Sequence, residues 1–300
     1  MGNKRLKTCL AGLCLTLILS GCSVVPSSKT VFTTAETPSA DATTAIDARS
    51  LLQEAVKTTI EGHPDDKDDS NAQFWYTGYV SNSIGDRKTT SMYEGILIRP
   101  MEAYLVNGRM AGIPFSYYRW EDHFYMKKGD VWFRASEDEV LPYDPFRGFL
   151  DWLPLMEEAQ KLPDQEVLSI PADVIQVRIS GKEWIEKSTS PLFEELKGKL
   201  KGDPSLGNVL DNTVVKTTLW IGKKDRYIYQ YSTWIVMPLP GGGYFDQETF
   251  FRFYKFGDPG INSRISPPEE VEKWVTQFEE KIKAGELKDL PEEQPVTDEE

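Results

Sequence analysis

Two histidines, His63 and His123, and three cysteines, Cys9, Cys14 and Cys22, hold all the imidazole and thiol chemistry of this chain. A metal site needs such groups clustered at ligand spacing, and neither histidine has a histidine or cysteine partner at that spacing. A Ser/His/Asp triad would have to recruit one of the two histidines, yet the sequence contains no Gly-x-Ser-x-Gly elbow. A phosphate loop of the Gly-x-x-x-x-Gly-Lys type is also missing. Carboxylates number 47, so any one of them says little. A glycosidase-type pair distant in the chain is the enzymatic reading left open. Asp65, Asp66, Asp68 and Asp69 lack the spacing and sixth-position glycine of an EF-hand and read as a solvated turn. The expectation is therefore no catalytic set, no metal and no cofactor.

The thiol of Cys22 has a different context. Lys4, Arg5 and Lys7 precede an apolar run from Leu10 to Leu19, which ends in Leu19-Ser20-Gly21-Cys22. A positive n-region, a short apolar core and small residues at a cleavage point make an export signal. The run is about half the roughly 20 residues a membrane-spanning helix needs. The four residues resemble the bacterial lipobox, which implies diacylglycerol (palmitate and similar chains) on the sulfur of Cys22 and cleavage ahead of it. Cys9 and Cys14 leave with the signal, so no disulfide or thiol site remains in the mature chain. Loss of Lys4, Arg5 and Lys7 leaves 31 cationic against 47 anionic side chains, a net charge near −16. Nucleic acid and anionic headgroups both attract basic surfaces, so neither is expected as a partner held by charge. The lipid on Cys22 is what holds the protein to the membrane, facing away from the cytoplasm.

Four segments follow: the signal (1–21), a Ser/Thr/Pro-rich tether (22–45), one folded domain (46–284) and an acidic disordered tail (285–300). A domain of roughly 240 residues can bury most of its apolar surface without staples. Leu51, Leu52, Ala55, Val56 and Ile60 recur at helical spacing, closed by Gly62 and Pro64. Aromatic and β-branched runs at 74–80, 91–99, 102–106, 115–120, 123–127 and 131–134 read as successive antiparallel strands. Gly85-Asp86, Asn107-Gly108 and Lys128-Gly129-Asp130 are read as turns between them. Phe149, Trp152, Leu153, Met156 and Ala159 predict a helix over 146–161, and Pro191 opens a short one. Ile175, Val177 and Ile179 alternate with polar residues, as a half-buried strand does. Three long strands, 214–221, 227–237 and 244–256, precede a last helix from Pro267-Pro268.

These elements must position an unusual aromatic load: 8 Trp, 13 Tyr and 14 Phe, concentrated in the strands. Strand propensity alone explains any single one of them. As a set they give the sheet more apolar surface than the helices cover, and Trp75, Tyr104, Trp132, Val177, Leu219, Tyr229, Tyr231, Phe251 and Phe253 are the candidate lining of an apolar cavity.

The order of lipobox, spacer, helix, meander, two helices and long closing strands resembles the LolA/LppX/LprG-like family of bacterial envelope lipoproteins and lipid carriers. Leu219-Trp220-Ile221-Gly222-Lys223-Lys224-Asp225 and Phe253-Tyr254-Lys255-Phe256, with the exit Ile265-Ser266-Pro267-Pro268, are similar to its closing strands. The resemblance implies an α+β fold, a curved antiparallel half-barrel whose concave face is covered by helices and binds acyl chains or a partner's hydrophobic segment. It carries no catalytic signature. The expected protein is a monomeric, non-enzymatic lipoprotein at the cell membrane, holding a lipid or an envelope-protein partner. Two alternatives stand beside it: a solid-cored regulatory lipoprotein that docks another exported protein, and a hydrolase of envelope polymers.

Overall fold

In the computed structural model the described residues are 42–62, 73–110, 112–129, 131–136, 145–146, 155–187, 209–239 and 242–286. The expected signal, most of the tether, the acidic turn at Asp65 to Asp69, the helix opened by Pro191 and the tail beyond 286 lie outside them.

Helix α1 (Ala42–Glu61) leads into β1 (Gln73–Ile84), β2 (Arg87–Ile98), β3 (Ala103–Met110), β4 (Ile113–Trp120), β5 (His123–Lys128) and β6 (Val131–Arg134). Next come β7 (Met156–Val167), β8 (Ile170–Ser180), α2 (Gly181–Lys187), β9 (Val214–Gly222), β10 (Ile228–Pro238), β11 (Tyr244–Tyr254) and α3 (Pro268–Lys283). All eleven strands form one curved antiparallel sheet in the order β6-β5-β4-β3-β2-β1-β11-β10-β9-β8-β7, open rather than closed into a barrel. Every pairing joins neighbours in sequence except β1 with β11, in register from Trp75 opposite Tyr254 to Ile84 opposite Phe245. That seam unites two meanders, β1–β6 and β7–β11.

Alternation sorts the side chains to two faces. On one face Phe74, Tyr76, Leu97, Tyr104, Val106, Val177, Leu219, Tyr231, Phe251 and Phe253 form the main core with α1. Ala48, Leu52, Ala55 and Val56 make the stripe with which α1 covers this face. The Thr59 hydroxyl donates to the Ala55 carbonyl at 2.7 Å and accepts from the Ile228 amide at 2.9 Å. It thereby satisfies the backbone where a bulge interrupts the β9–β10 ladder between Ile228 and Gln230. On the opposite face Ile96, Ile98, Ala103, Tyr118 and Tyr125 are covered by Ile261, Ile265 and, from α3, Val271 and Val275. The first and last helices therefore cover opposite faces of the sheet.

Two expectations fail for identifiable reasons. Residues 156–161 of the expected helix open β7, and 147–154 lie outside the described residues. A register shift between Met156 and Glu158 inserts one residue, so the inward side chains Met156 and Ala159 stand three apart and imitate helical spacing. Asn107-Gly108 is strand, not turn: Asn107 lies between Glu94 and Ser116, and the Ser116 hydroxyl donates to its Oδ1 at 2.7 Å. The bend comes later, where Gly112 adopts φ +84°. At Gly108 a Cβ would sit 2.5 Å from the Phe115 ring, so this glycine clears space for an aromatic ring.

The open edges are blunted. Edge strand β7 carries Pro163, two register shifts and the exposed Glu157, Glu158 and Asp164. At the other edge β6 is four residues long, and its Arg134 is ion-paired to Glu272 and Glu279 of α3. Near β7 the buried Asp173 meets Lys161 Nζ at 2.9 Å and Arg226 at 3.0 Å. Arg226 also reaches Glu54 of α1 at 3.9 Å.

Phe253, fully buried, touches the rings of Phe74, Phe146, Tyr231 and Phe251 at centroid distances of 4.3 to 6.4 Å. Phe253→Ala is expected to cost about 3–5 kcal/mol in urea unfolding. Trp274→Ala, on the exposed side of α3, should cost under about 1 kcal/mol.

Candidate functional site

Six of the nine sequence-nominated lining residues come together. Tyr104, Val177, Leu219, Tyr231, Phe251 and Phe253 all belong to the buried cluster on the α1 face. Trp75 and Trp132 point to the α3 face and pack beside its cluster. Trp75 stacks with Tyr254 at 6.4 Å, and Lys255 Nζ lies 4.9 Å above its ring. Tyr229 belongs to a small third cluster with Val167 and Tyr227, because the Ile228–Gln230 bulge breaks the alternation there. Its hydroxyl donates to Asp225 Oδ2 at 2.6 Å, and burial together with that carboxylate raises its pKa.

The centre of the α1 face is filled by a residue that no sequence signal marks as a core residue. Phe146, in the connection from β6 to β7, stacks on Phe253 at 4.3 Å and meets Phe74 edge-on at 5.7 Å. The Tyr231 hydroxyl donates to the Pro145 carbonyl at 2.7 Å, which holds that segment in place. From this filled centre an aromatic path runs outward. Phe251 stacks with Tyr93 at 6.1 Å, Tyr93 meets Phe115 at 5.9 Å, and Phe115 meets Tyr117 at 5.1 Å. Tyr93, Phe115, Phe124 and Met126 are only partly buried. Burial, and the nearby Tyr93, raise the pKa of Tyr117, so this hydroxyl stays neutral. These partly buried side chains offer rings and a thioether, chemistry suited to hydrocarbon.

A groove of about 740 Å³ opens on the α3 face. Trp120, Glu121, His123 and Tyr125 of the β4–β5 hairpin form one wall, and Pro267, Pro268, Glu269, Glu272, Lys273, Thr276 and Gln277 form the other. The Tyr118 hydroxyl, donating to Ser266 O at 2.9 Å, fixes the start of α3. The Tyr125 hydroxyl donates to Glu272 Oε2 at 2.9 Å, and Arg134 Nε donates to Glu272 Oε1 at 3.0 Å. Hydrogen bonding from Arg134, more than from Tyr125, holds the Glu272 carboxyl below its ordinary range. Burial first, then the bond to Glu272, push Tyr125 up to about 12. His123 lies 3.1 Å from Asp122. No group of three metal-type ligands occurs among the described residues, and His63 is outside them.

No family model matches the chain, and no curated protein does. Among solved structures the chain is similar to lipoprotein LppX of Mycobacterium tuberculosis, with TM-score 0.40 and 12% identity, covering 71% of this chain and 97% of that one. It is similar to LprF from Mycobacterium bovis, with TM-score 0.42 and 12% identity over 75% and 98% of the two chains. The MucA/MucB complex of Pseudomonas aeruginosa gives TM-score 0.31 and 9% identity over 69% and 55%. LppX-type lipoproteins, the resemblance read from the order of elements, thus stand among the structural neighbours. At these identities no residue and no ligand carries across.

Because Tyr125 ionises higher in the fold than its ordinary 10.0, its contact with Glu272 is fully present below pH 10 and is lost as pH rises toward about 12. In ¹³Cζ-tyrosine NMR, Tyr125 should remain protonated at about pH 11. Glu272→Gln, which removes the charge and keeps the shape, should let it titrate earlier while burial still holds it above 10.0. An unmoved midpoint would contradict the assigned contact.

Proposed function

We propose that this chain is a monomeric envelope lipoprotein, tethered to the cell membrane through a lipidated Cys22. It binds an acyl chain or a similar apolar ligand over the β2–β5 part of the α1 face. The carrying observation is the partly buried set Tyr93, Phe115, Phe124 and Met126, packed against the cluster that holds Phe251 and Phe253, with Tyr93 and Phe115 in ring contact with it. Each fully buried side chain of this kind contributes about 1.5–3 kcal/mol, so a hydrocarbon chain that completes their burial is held without polar contacts. Attachment rests on the lipobox at Leu19-Ser20-Gly21-Cys22, and among the described residues no helix is long and apolar enough to cross a membrane. The reading is one of binding rather than catalysis.

A second reading is favoured by one observation. Phe146 already fills the centre of the same face, as it would in a solid-cored protein whose role is to dock another exported protein.

One experiment separates them. Wild-type protein isolated from membranes is extracted and its acyl content measured, while the Cys22→Ser chain is fractionated and titrated with a fluorescent fatty acid. The expected outcome is loss of the Cys22→Ser chain from the membrane fraction and retention of fatty-acid binding. Phe115→Asp should weaken that binding about tenfold or more, with thermal unfolding run as a control. A lipid-free protein that ignores the probe would favour the docking reading.

A further inference from the structure

The groove on the α3 face has a chemistry unlike that of the aromatic α1 face. Its walls combine an indole and a phenol, Trp120 and Tyr125, with three carboxylates, Glu121, Glu269 and Glu272. Glu272 is committed to Arg134 and Tyr125. Among the described residues the carboxylates of Glu121 and Glu269 have no hydrogen-bond or ion-pair partner. Lys273 is the one lysine or arginine of the lining against them. Tyr125 is buried under α3 with its hydroxyl committed to Glu272, so the half-buried Trp120 supplies the accessible ring; beside it, carboxylates that outnumber the one lysine favour a guanidinium or ammonium through its ring face and charge-assisted hydrogen bonds together.

Shape narrows the choice of cation. The wall from Pro267 to Gln277 follows the first turns of α3, about 15 Å at the helical rise. An extended peptide covers that distance with four or five residues. Trp120 on one wall and Pro267 and Pro268 on the other give the rigid, ring-lined sides that extended segments use elsewhere. The chain's own tail is a poor occupant, since from Glu286 to Glu300 it carries Glu286, Asp289, Glu292, Glu293, Asp298, Glu299 and Glu300 against Lys288 alone. Like charge keeps it out. A net charge near −16 in the mature chain likewise steers basic segments toward this surface.

We infer that the groove between the β4–β5 hairpin and α3 docks an extended, arginine- or lysine-bearing segment of another exported protein, its cationic side chains held between Trp120, Glu121 and Glu269. The site is distinct from the acyl-binding face, and its test does not depend on it.

The Cys22→Ser chain is titrated calorimetrically with an Arg-Pro hexapeptide, with the same peptide carrying citrulline for arginine, and with spermidine. The arginine peptide should bind, weaken steeply with added salt, and outcompete both controls. The double variant Glu121→Gln, Glu269→Gln should weaken it about tenfold or more, with unchanged thermal unfolding and unchanged fatty-acid titration. Equal binding of the citrulline peptide, spermidine binding as tight as the peptide, indifference to the double variant, or no binding at all would each overturn the proposal.

Discussion

The antiparallel pairing of β1 with β11 is the contact on which the rest of the molecule depends. Each other ladder closes between strands adjacent in sequence and so costs little chain entropy to form. The seam instead joins positions about 170 residues apart, such as Gly78 and Phe251. Both faces spend their largest side chains there: Phe74, Tyr76, Phe251 and Phe253 on one, Trp75 and Tyr254 on the other. Without the seam each meander would expose one long edge and half of an aromatic face.

Once the seam is formed, the distribution of function across the molecule follows from the parity of the strands. Inward positions of β2, β3 and β4 continue the aromatic surface that begins at Phe253. Outward positions of the same strands, Ile96, Ala103 and Tyr118, receive α3. The two faces are therefore separate in chemistry as well as space. The α1 face is dominated by aromatic and aliphatic side chains, with Arg99 over the Phe74 and Phe146 rings and Arg119 over Phe124, whereas the groove beside α3 mixes rings with carboxylates. Helix α1 is fastened by polar contacts at three points: Thr59 on the β10 bulge, Arg49 to the Met156 carbonyl at 2.8 Å, and Glu54 toward Arg226.

Much of this was legible in the sequence. The strands from Phe74 to Arg134 and from Val214 to Tyr254 announce themselves by β-branched and aromatic residues between turn signals, because packing on a pleated surface selects those types. What sequence periodicity could not resolve was irregularity. A bulge at Met156–Glu158 turned an edge strand into an apparent helix, and another at Ile228–Gln230 moved Tyr229 out of the face shared by Tyr231 and Phe251. Face assignment across the sheet also needs the register of strands distant in sequence, and only that register separates Trp75 and Trp132 from Tyr231 and Phe251. Phe146 was illegible as a core residue, since a single ring between two strands leaves no periodic trace. The α3 groove was hidden likewise, because its walls lie about 150 residues apart.

Hydrogen exchange measured with and without a bound fatty acid tests the central claim most directly. The account predicts added protection across β2, β3, β4 and β5, residues 87–128, with α3 unchanged. Protection confined to α3 and the β4–β5 hairpin, or none anywhere, would contradict it.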